Sequence, residues 1–190
     1  MNDFDVLDCI NKNIFDNKIN IKTKILPSGK THYRLSVYNS YIWKEAVENF
    51  KLCNNKSAVI EFPDLEEKYL PHFVRGLVDT DGCFSTSRGR LSFSYGSCSG
   101  KFIEKLYDVF IKYCGINKIK ISRTEKQLPY HDFYVFKLCN KKDPIAIGQW
   151  IYNNSENNRG ERKFNIWLKS YINSEFYKKQ LTMSNELKLI

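Results

Sequence analysis

The chain lacks several features that would place it quickly in a functional class. No segment is long and apolar enough to span a bilayer, and the first residues are acidic where a signal or transit peptide is basic. The six cysteines include no C-x-x-C pair, and the three histidines form no metal-like spacing. There is no glycine-rich phosphate loop and no nucleophile elbow. These absences disfavour membrane anchoring, zinc binding, nucleotide-driven chemistry and acyl transfer, and the unpaired thiols indicate an intracellular protein.

Acidic residues are also too few to balance the basic ones. The 190 residues contain 30 Lys and Arg against 21 Asp and Glu, which gives a net charge of +9 and a pI near 9.2. Such a balance indicates a polyanionic partner, of which nucleic acid fits better than an acidic membrane. With 42% hydrophobic residues, the chain can bury a core in one or two domains.

The most informative segment is 73–84, which reads F-V-R-G-L-V-D-T-D-G-C-F. If Pro71 opens a helix here, Asp79 and Asp81 fall in its last turn, where the helix dipole disfavours each acid by about 0.3–1 kcal/mol. A divalent cation held by the Asp81 carboxylate and nearby main-chain carbonyls would offset this cost. We expect Gly82 to end the helix with a positive φ.

The nine residues Val74–Gly82 resemble the motif of the LAGLIDADG homing endonucleases. In that family two such helices pack side by side, from two repeats or two subunits. Each delivers one acid to a shared Mg²⁺-dependent site that cuts both strands of a long double-stranded DNA target. The resemblance implies Asp81 as catalytic residue and metal ligand, with the main-chain carbonyl of Thr80 as a second ligand. It also implies a basic residue near the scissile phosphate, for which Lys163 is the first choice.

Further roles follow from the motif and from the resemblance to the family. Gly76 and Thr80 stand four residues apart on one helix face, a spacing of small residues that lets a partner helix approach closely. They are the predicted helix–helix interface. Asp79 points in a different direction from Asp81, so capping or hydrogen bonding suits it better than metal binding. Ser99 occupies the position of a water-organising side chain in the family.

Part of the chain is repeated. Residues 32–39 and 133–140 align at an offset of 101, and each copy continues into a helical segment, Tyr41–Phe50 and Pro144–Tyr152. A repeat of this size predicts two similar units packed together. The first copy begins only at its second hairpin, and no D-x-D-G occurs before residue 79. The second acid therefore lies on another polypeptide or further upstream, or the chain has lost cleavage.

We accordingly predict an α+β fold with three parts. Residues 1–62 form a partial first repeat, 63–178 a complete αββαββα repeat with an antiparallel saddle sheet, and 179–190 a tail. The predicted elements are a remnant helix over 5–14, a helix from 63 or 64 to 82, a hairpin of 83–88 and 91–97, a helix over 101–114 ended by Gly115, a hairpin of 117–123 and 132–139, and helices over 144–152 and 162–177.

The hairpin segments alternate with period two, which places one set of side chains on an open face. A two-stranded ribbon fits the major groove of double-stranded DNA, where Arg, Lys and Ser contact base edges. An ordinary solvated sheet face is the alternative. The predicted DNA-binding residues are Arg34, Ser36, Ser85, Ser87, Arg88, Arg90, Ser92, Ser94, Lys118, Lys120 and Lys137.

The leading functional hypothesis is therefore a site-specific DNA endonuclease of the homing type, which uses Mg²⁺ and needs a partner acid from a second chain or second copy. The alternatives are a cleavage-inactive DNA-binding protein on the same fold, such as an intron maturase or a regulator, and a basic module that binds RNA.

Overall fold

The computed structural model describes residues 4–50, 56–117, 120–127, 129–156 and 158–174, and it confirms an α+β protein. Short 3₁₀ turns occupy Lys56–Ala58 and Glu67–Tyr69. The main elements are α1 (Phe4–Phe15), β1 (Lys22–Ile25), β2 (Thr31–Arg34), α2 (Ser40–Phe50), α3 (Leu70–Asp81), β3 (Cys83–Ser87), β4 (Arg90–Ser97), α4 (Gly100–Cys114), β5 (Ser122–Thr124), β6 (Phe133–Leu138), α5 (Asp143–Tyr152) and α6 (Glu161–Ile172).

The strands form two antiparallel sheets. One is the β1–β2 hairpin, and the other has four strands in the order β3-β4-β6-β5. In the larger sheet Phe84 lies opposite Phe93, and Ser94 lies opposite Lys137. Because side chains alternate between the two faces of a strand, this register puts aromatic residues on one face and polar residues on the other.

The core lies between the aromatic face and the helices α3 to α6. Phe93 and Phe136 are fully buried and meet Phe110 of α4 edge to face, with ring centroids 5.7 and 6.1 Å apart. Burial of each such ring contributes about 1.5–3 kcal/mol, so this cluster supplies much of the stability. The helices cover one side of the sheet and leave the polar face open.

Helix α4 and the β3–β4 hairpin confirm the predicted elements within a residue or two. Ser99 Oγ accepts a hydrogen bond from the main-chain N–H of Phe102 and begins α4, and Gly115 ends it with φ 61°. The hairpin turns at Arg88 and Gly89, which have φ values of 49° and 72°. Both positive angles match the two-residue turn that fits the twist of a hairpin.

The predicted start of the motif helix at 63 or 64 is wrong, because α3 begins at Leu70. Ile60 and Phe62 pack against the core from a segment that is not helical. The ring of Phe62 contacts that of Phe73 edge to face at 5.4 Å. Helix α3 instead begins where Pro71 can occupy its first turn, because the missing N–H of proline has no helical partner there.

The expected positive φ of Gly82 is also wrong. Its φ and ψ are −72° and 163°, an extended conformation that any residue can adopt. The position requires glycine for space instead, since an added Cβ would lie 2.9 Å from both the Cα and the carbonyl oxygen of Val78. The chain passes close over its own preceding helical turn at this point.

Several predicted boundaries shift. Strand β2 ends at Arg34, so the alternation expected to continue through Ser36 is not strand there. Strand β5 covers only Ser122–Thr124, and α6 ends at Ile172 rather than 177. Residues 175–178 and the predicted tail 179–190 lie outside the described residues, and the division of the chain at residue 62 stays a prediction.

The N-terminal elements contact the loop before α6. The main-chain N–H of Glu161 donates to Asp5 Oδ2 at 2.6 Å, and Asn13 Nδ2 donates to Asn158 Oδ1 at 2.6 Å. Helix α1 is thereby attached to the segment that leads into α6. No helix in the described ranges has the length and apolarity needed to cross a membrane.

Gly76 within α3 and Gly82 directly after it give opposite predictions for the same substitution. Gly82→Ala should cost about 1–3 kcal/mol in the free energy of unfolding, because the new methyl group meets backbone atoms that cannot move aside. Gly76→Ala should stabilise by about 0.5–1 kcal/mol, since nothing lies within 4 Å of its added Cβ. Urea denaturation of both variants measures the difference, and equal effects would contradict the described path of the chain at Gly82.

Candidate functional site

The last turn of α3 holds two carboxylates in opposite environments. Asp79 is buried, with 4% of its surface exposed, whereas Asp81 is exposed. Asp79 Oδ1 accepts a hydrogen bond from the hydroxyl of Tyr152 at 2.9 Å, and its Oδ2 accepts one from the main-chain N–H of Gly160 at 2.7 Å. As the sequence predicts, Asp79 serves hydrogen bonding, and it joins α3 to α5 and to the start of α6.

Burial raises the pKa of the Asp79 carboxyl above its ordinary value. The N–H of Gly160, the hydroxyl of Tyr152 and the charges of Lys163 and Arg75 oppose this rise without cancelling it. Burial, followed by the nearby charge of Asp79, also raises the pKa of Tyr152. The tyrosine hydroxyl therefore keeps its proton at neutral pH and remains a donor to Asp79.

Lys163 is a buried lysine that caps the motif helix. Its Nζ donates to the main-chain carbonyls of Val78 and Asp79 at 2.9 Å each and to that of Thr80 at 3.2 Å. The last carbonyls of a helix have no partner within the helix, and they carry its partial negative charge. The ammonium group satisfies them and supplies positive charge beside the acids. The unfavourable helix end predicted from the sequence therefore does not require a metal ion for its stability.

Asp81 is the acid that is free to act on a ligand. It lies at the exposed end of α3, two residues before β3 begins. Burial, followed by the charge of Asp81, raises the pKa of Tyr95 on β4. The carboxylate therefore lies at the junction between the motif helix and the sheet.

The donor set at this junction fits half of a Mg²⁺ site. Across the described ranges, no group of three or more His, Cys, Asp or Glu side chains could hold a metal ion. Mg²⁺ is usually held by one or two carboxylates together with waters and substrate phosphates, so Asp81 can provide one ligand. The carbonyl of Thr80 is a weaker candidate, because it already accepts a bond from the Lys163 ammonium, which repels a second cation.

The predicted helix–helix interface is exposed. Gly76 and Thr80 both lie on the outer face of α3, in line with the exposed His72. In the described part of the chain α3 packs mainly against α5 and the 3₁₀ turn before it, on its other side. The side chain of Thr80 bonds back to the carbonyl of Gly76 at 2.9 Å, so these two positions add no protruding group to the face.

Sequence reasoning missed the buried polar groups beneath the motif. Arg75, the second residue of the motif, is buried, and its Nη1 donates to the carbonyl of Ile151 at 3.1 Å. Burial lowers its pKa, and the charge of Asp79 opposes that shift. An arginine within an otherwise apolar helical segment is the sequence signal that could have revealed this buried polar group. Ser99, expected to organise water, is instead a buried cap that donates to the carbonyl of Ile60 at 2.7 Å.

The open face of the four-stranded sheet brings together most of the predicted DNA-binding residues. The hydroxyls of Ser85 and Ser92 are 2.8 Å apart on neighbouring strands, and Ser94 lies opposite Lys137. The residues that share this face are Ser85, Ser87, Arg90, Ser92, Ser94 and Lys137, with Arg88 at the tip of the hairpin. The face is therefore basic and rich in hydroxyl groups.

The remaining predicted contacts lie elsewhere. Lys120 is exposed just before β5, and Lys118 is outside the described residues. Arg34 is exposed at the end of β2 in the other sheet, and Ser36 lies beyond that strand and is half-buried. Arg34 and Ser36 therefore do not lie on the open face of the four-stranded sheet.

Phe133 is a further member of the open face that sequence reasoning did not single out. Its side chain is 40% exposed, and its ring lies across Gly96 of β4, where an added Cβ would come within 2.3 Å of a ring carbon. The missing side chain of Gly96 is the sequence signal for this contact. An aromatic ring thus lies flat among the polar groups of the sheet.

No protein-family model and no curated protein matches this chain. The resemblance of Val74–Gly82 to the LAGLIDADG motif therefore depends on those nine residues and on the geometry around them.

Replacement of the capping lysine should weaken the fold. Lys163→Met removes a charged donor from three main-chain carbonyls and a positive charge that acts on Asp79, so it should cost about 2–4 kcal/mol in the free energy of unfolding. The control Lys105→Met, at an exposed position on α4, should change it by less than about 0.5 kcal/mol. Chemical denaturation compares the two, and equal small effects would disprove the capping role.

Proposed function

We propose that this chain is a DNA-binding protein of the LAGLIDADG type that contributes one acid, Asp81, to a composite Mg²⁺-dependent endonuclease site. The proposal rests on the different environments of the two acids at the end of α3. Asp79 is buried and fully used in hydrogen bonding, while Asp81 is exposed at the same helix end. Only the second carboxylate is available for chemistry.

The exposed face of α3 supports a partner that brings the second acid. Gly76 and Thr80 give this face no protruding side chain, and small residues at this spacing allow two helices to approach closely. A second copy of the chain could pair through the same face, since a two-fold contact uses the same surface on both subunits. Such a contact would bring two Asp81 carboxylates to one seam. A different chain with its own motif helix could serve equally.

The open sheet face supports double-stranded DNA as the ligand. Serine hydroxyls, Arg90 and Lys137 project from neighbouring strands, and the chain carries a net charge of +9. Phosphate contacts from basic residues give affinity, and Arg, Lys and Ser side chains can read base edges in the major groove. The hairpin β3–β4 is the element with most of these residues.

Phosphodiester hydrolysis requires an activated water and stabilisation of the leaving oxygen, and bound Mg²⁺ supplies both. In this proposal Asp81 holds the ion together with the partner acid and substrate phosphates. Since the Lys163 ammonium is engaged by three carbonyls, we give Lys163 a positioning role: it fixes the helix end from which Asp81 projects. Tyr152 and Gly160 fix the same turn through Asp79.

A cleavage-inactive DNA- or RNA-binding protein on the same fold is the second candidate. It is favoured by the lack, among the described residues, of any group of three or more side chains that could hold a metal ion, and by the ammonium already bonded to the Thr80 carbonyl. An intron maturase or a regulator would need the open sheet face but no metal site. The two candidates differ in the consequence of changing Asp81.

Asp81→Asn should abolish cleavage and spare binding. A library of double-stranded DNA targets with Mg²⁺ should show double-strand cuts that fall by more than about 100-fold in this variant, because loss of outer metal-shell groups alone costs 10–100-fold. DNA affinity should change by less than about twofold. Asp108→Asn, at an exposed acid of α4, is the charge-matched control and should cut normally. Binding without cleavage in the unmodified protein would favour the second candidate.

DNA affinity should depend steeply on salt. If six to ten phosphates are contacted, affinity should fall by about 10³–10⁵ between 50 and 200 mM salt. Lys137→Gln should lower the slope of log affinity against log salt by about one, whereas Lys105→Gln on α4 should leave it unchanged. Fluorescence anisotropy measures both slopes, and a flat salt response would exclude the sheet-face proposal.

A further inference from the structure

A second candidate site lies on the other side of the β3–β4 hairpin from the open face. It is a cleft of about 740 Å³ between the hairpin tip, the turn before α5 and the end of α6. Its apolar floor is formed by Leu91, Ile145 and Ile166. Small-molecule sites typically have volumes of about 300–1,000 Å³, so the cleft can hold a ligand of nucleotide size.

The rim of this cleft carries one sign of charge. Its cations come from three separate elements, and no Asp or Glu lines it. The rim cations are all exposed, and in the described ranges none of them forms an ion pair with a carboxylate: Arg88, Lys141, Lys142 and Lys169. Arg90 also borders the cleft, but its strand position places its side chain on the open face. The neighbouring acid Asp143 is buried and accepts a bond from Asn140 Nδ2 at 2.6 Å. A cleft lined by like charges concentrates anions.

Arg88 adds a second, independent observation. Its φ of 49° places it in the left-handed region, which costs a residue other than glycine about 1–2 kcal/mol. Asn or Gly would fit this turn position better. Strained backbone at a residue with a long charged side chain is typical of a functional site. The guanidinium at the hairpin tip stands at the rim of the cleft.

We infer that this cleft binds the phosphate groups of a nucleotide. Phosphates suit a rim of Arg and Lys, because guanidinium groups make paired hydrogen bonds to phosphate oxygens and lysines add point charges. The aliphatic floor can cover the sugar or base. The phosphates come either from a free nucleotide or from a nucleic-acid strand that passes the hairpin tip. The inference does not depend on the proposed nuclease, since it uses neither Asp81 nor a metal.

Titration calorimetry on the full chain tests the cleft, with ATP and a 12-nucleotide single-stranded DNA as separate probes and no divalent cation. The double variant Lys142→Gln/Lys169→Gln should weaken binding of at least one probe about tenfold or more. The probe whose binding is weakened identifies the source of the phosphates. The control pair Lys24→Gln/Lys105→Gln removes the same charge at exposed positions outside the cleft and should leave affinity within about twofold. Equal losses in both pairs, or none in either, would overturn the inference.

Arg88→Asn tests the same cleft with a variant that we expect to remain folded. Asn suits the left-handed turn position, so its melting temperature should rise. Affinity for the same probe should nevertheless fall about tenfold, because a guanidinium contact is lost. A more stable variant with unchanged affinity would contradict the assignment of Arg88 to the cleft.

Discussion

The hydrogen bonds from the Lys163 ammonium to the end of α3 are the interaction on which the candidate site depends. They connect the first turn of α6 to the last turn of the motif helix, while Asp79 connects the same turn to Tyr152 and Gly160. A helix end with two acids is electrostatically unfavourable. Here a buried cation and a set of buried donors compensate it, and the exposed Asp81 is held by a rigid support.

This arrangement separates two roles that adjacent acids could have shared. One carboxylate is a structural acceptor, and the other is exposed on the side where no described helix covers α3. A site with one acid is incomplete for hydrolysis by paired carboxylates, so the proposed cleavage requires a second acid from a partner that covers Gly76 and Thr80. The open sheet face is independent of that question, because its polar groups are assembled by strand pairing alone.

The sequence was sufficient where local chemistry decides the structure. Gly115 ends α4 as predicted, and the β3–β4 hairpin forms within a residue or two of its predicted strands. It was insufficient where distant parts of the chain meet. The contacts of Lys163 depend on the approach of α6 to α3, and the packing of Phe62 depends on the position of Phe73. The hydrophobic periodicity of the sequence does not report such contacts between distant segments. It also could not show that Gly82 is needed for space.

Gly160 lies where α1, α3 and α6 meet. An added methyl group there would come within 3.1 Å of the Asp79 carboxyl carbon and 3.2 Å of Val6 Cγ2. The N-terminal helix and the motif helix thus approach each other across a residue without a side chain. Recombination could replace one of the two predicted repeats with that of another protein. The lack of space at Gly160 would restrict such an exchange, even if all other contact surfaces were compatible.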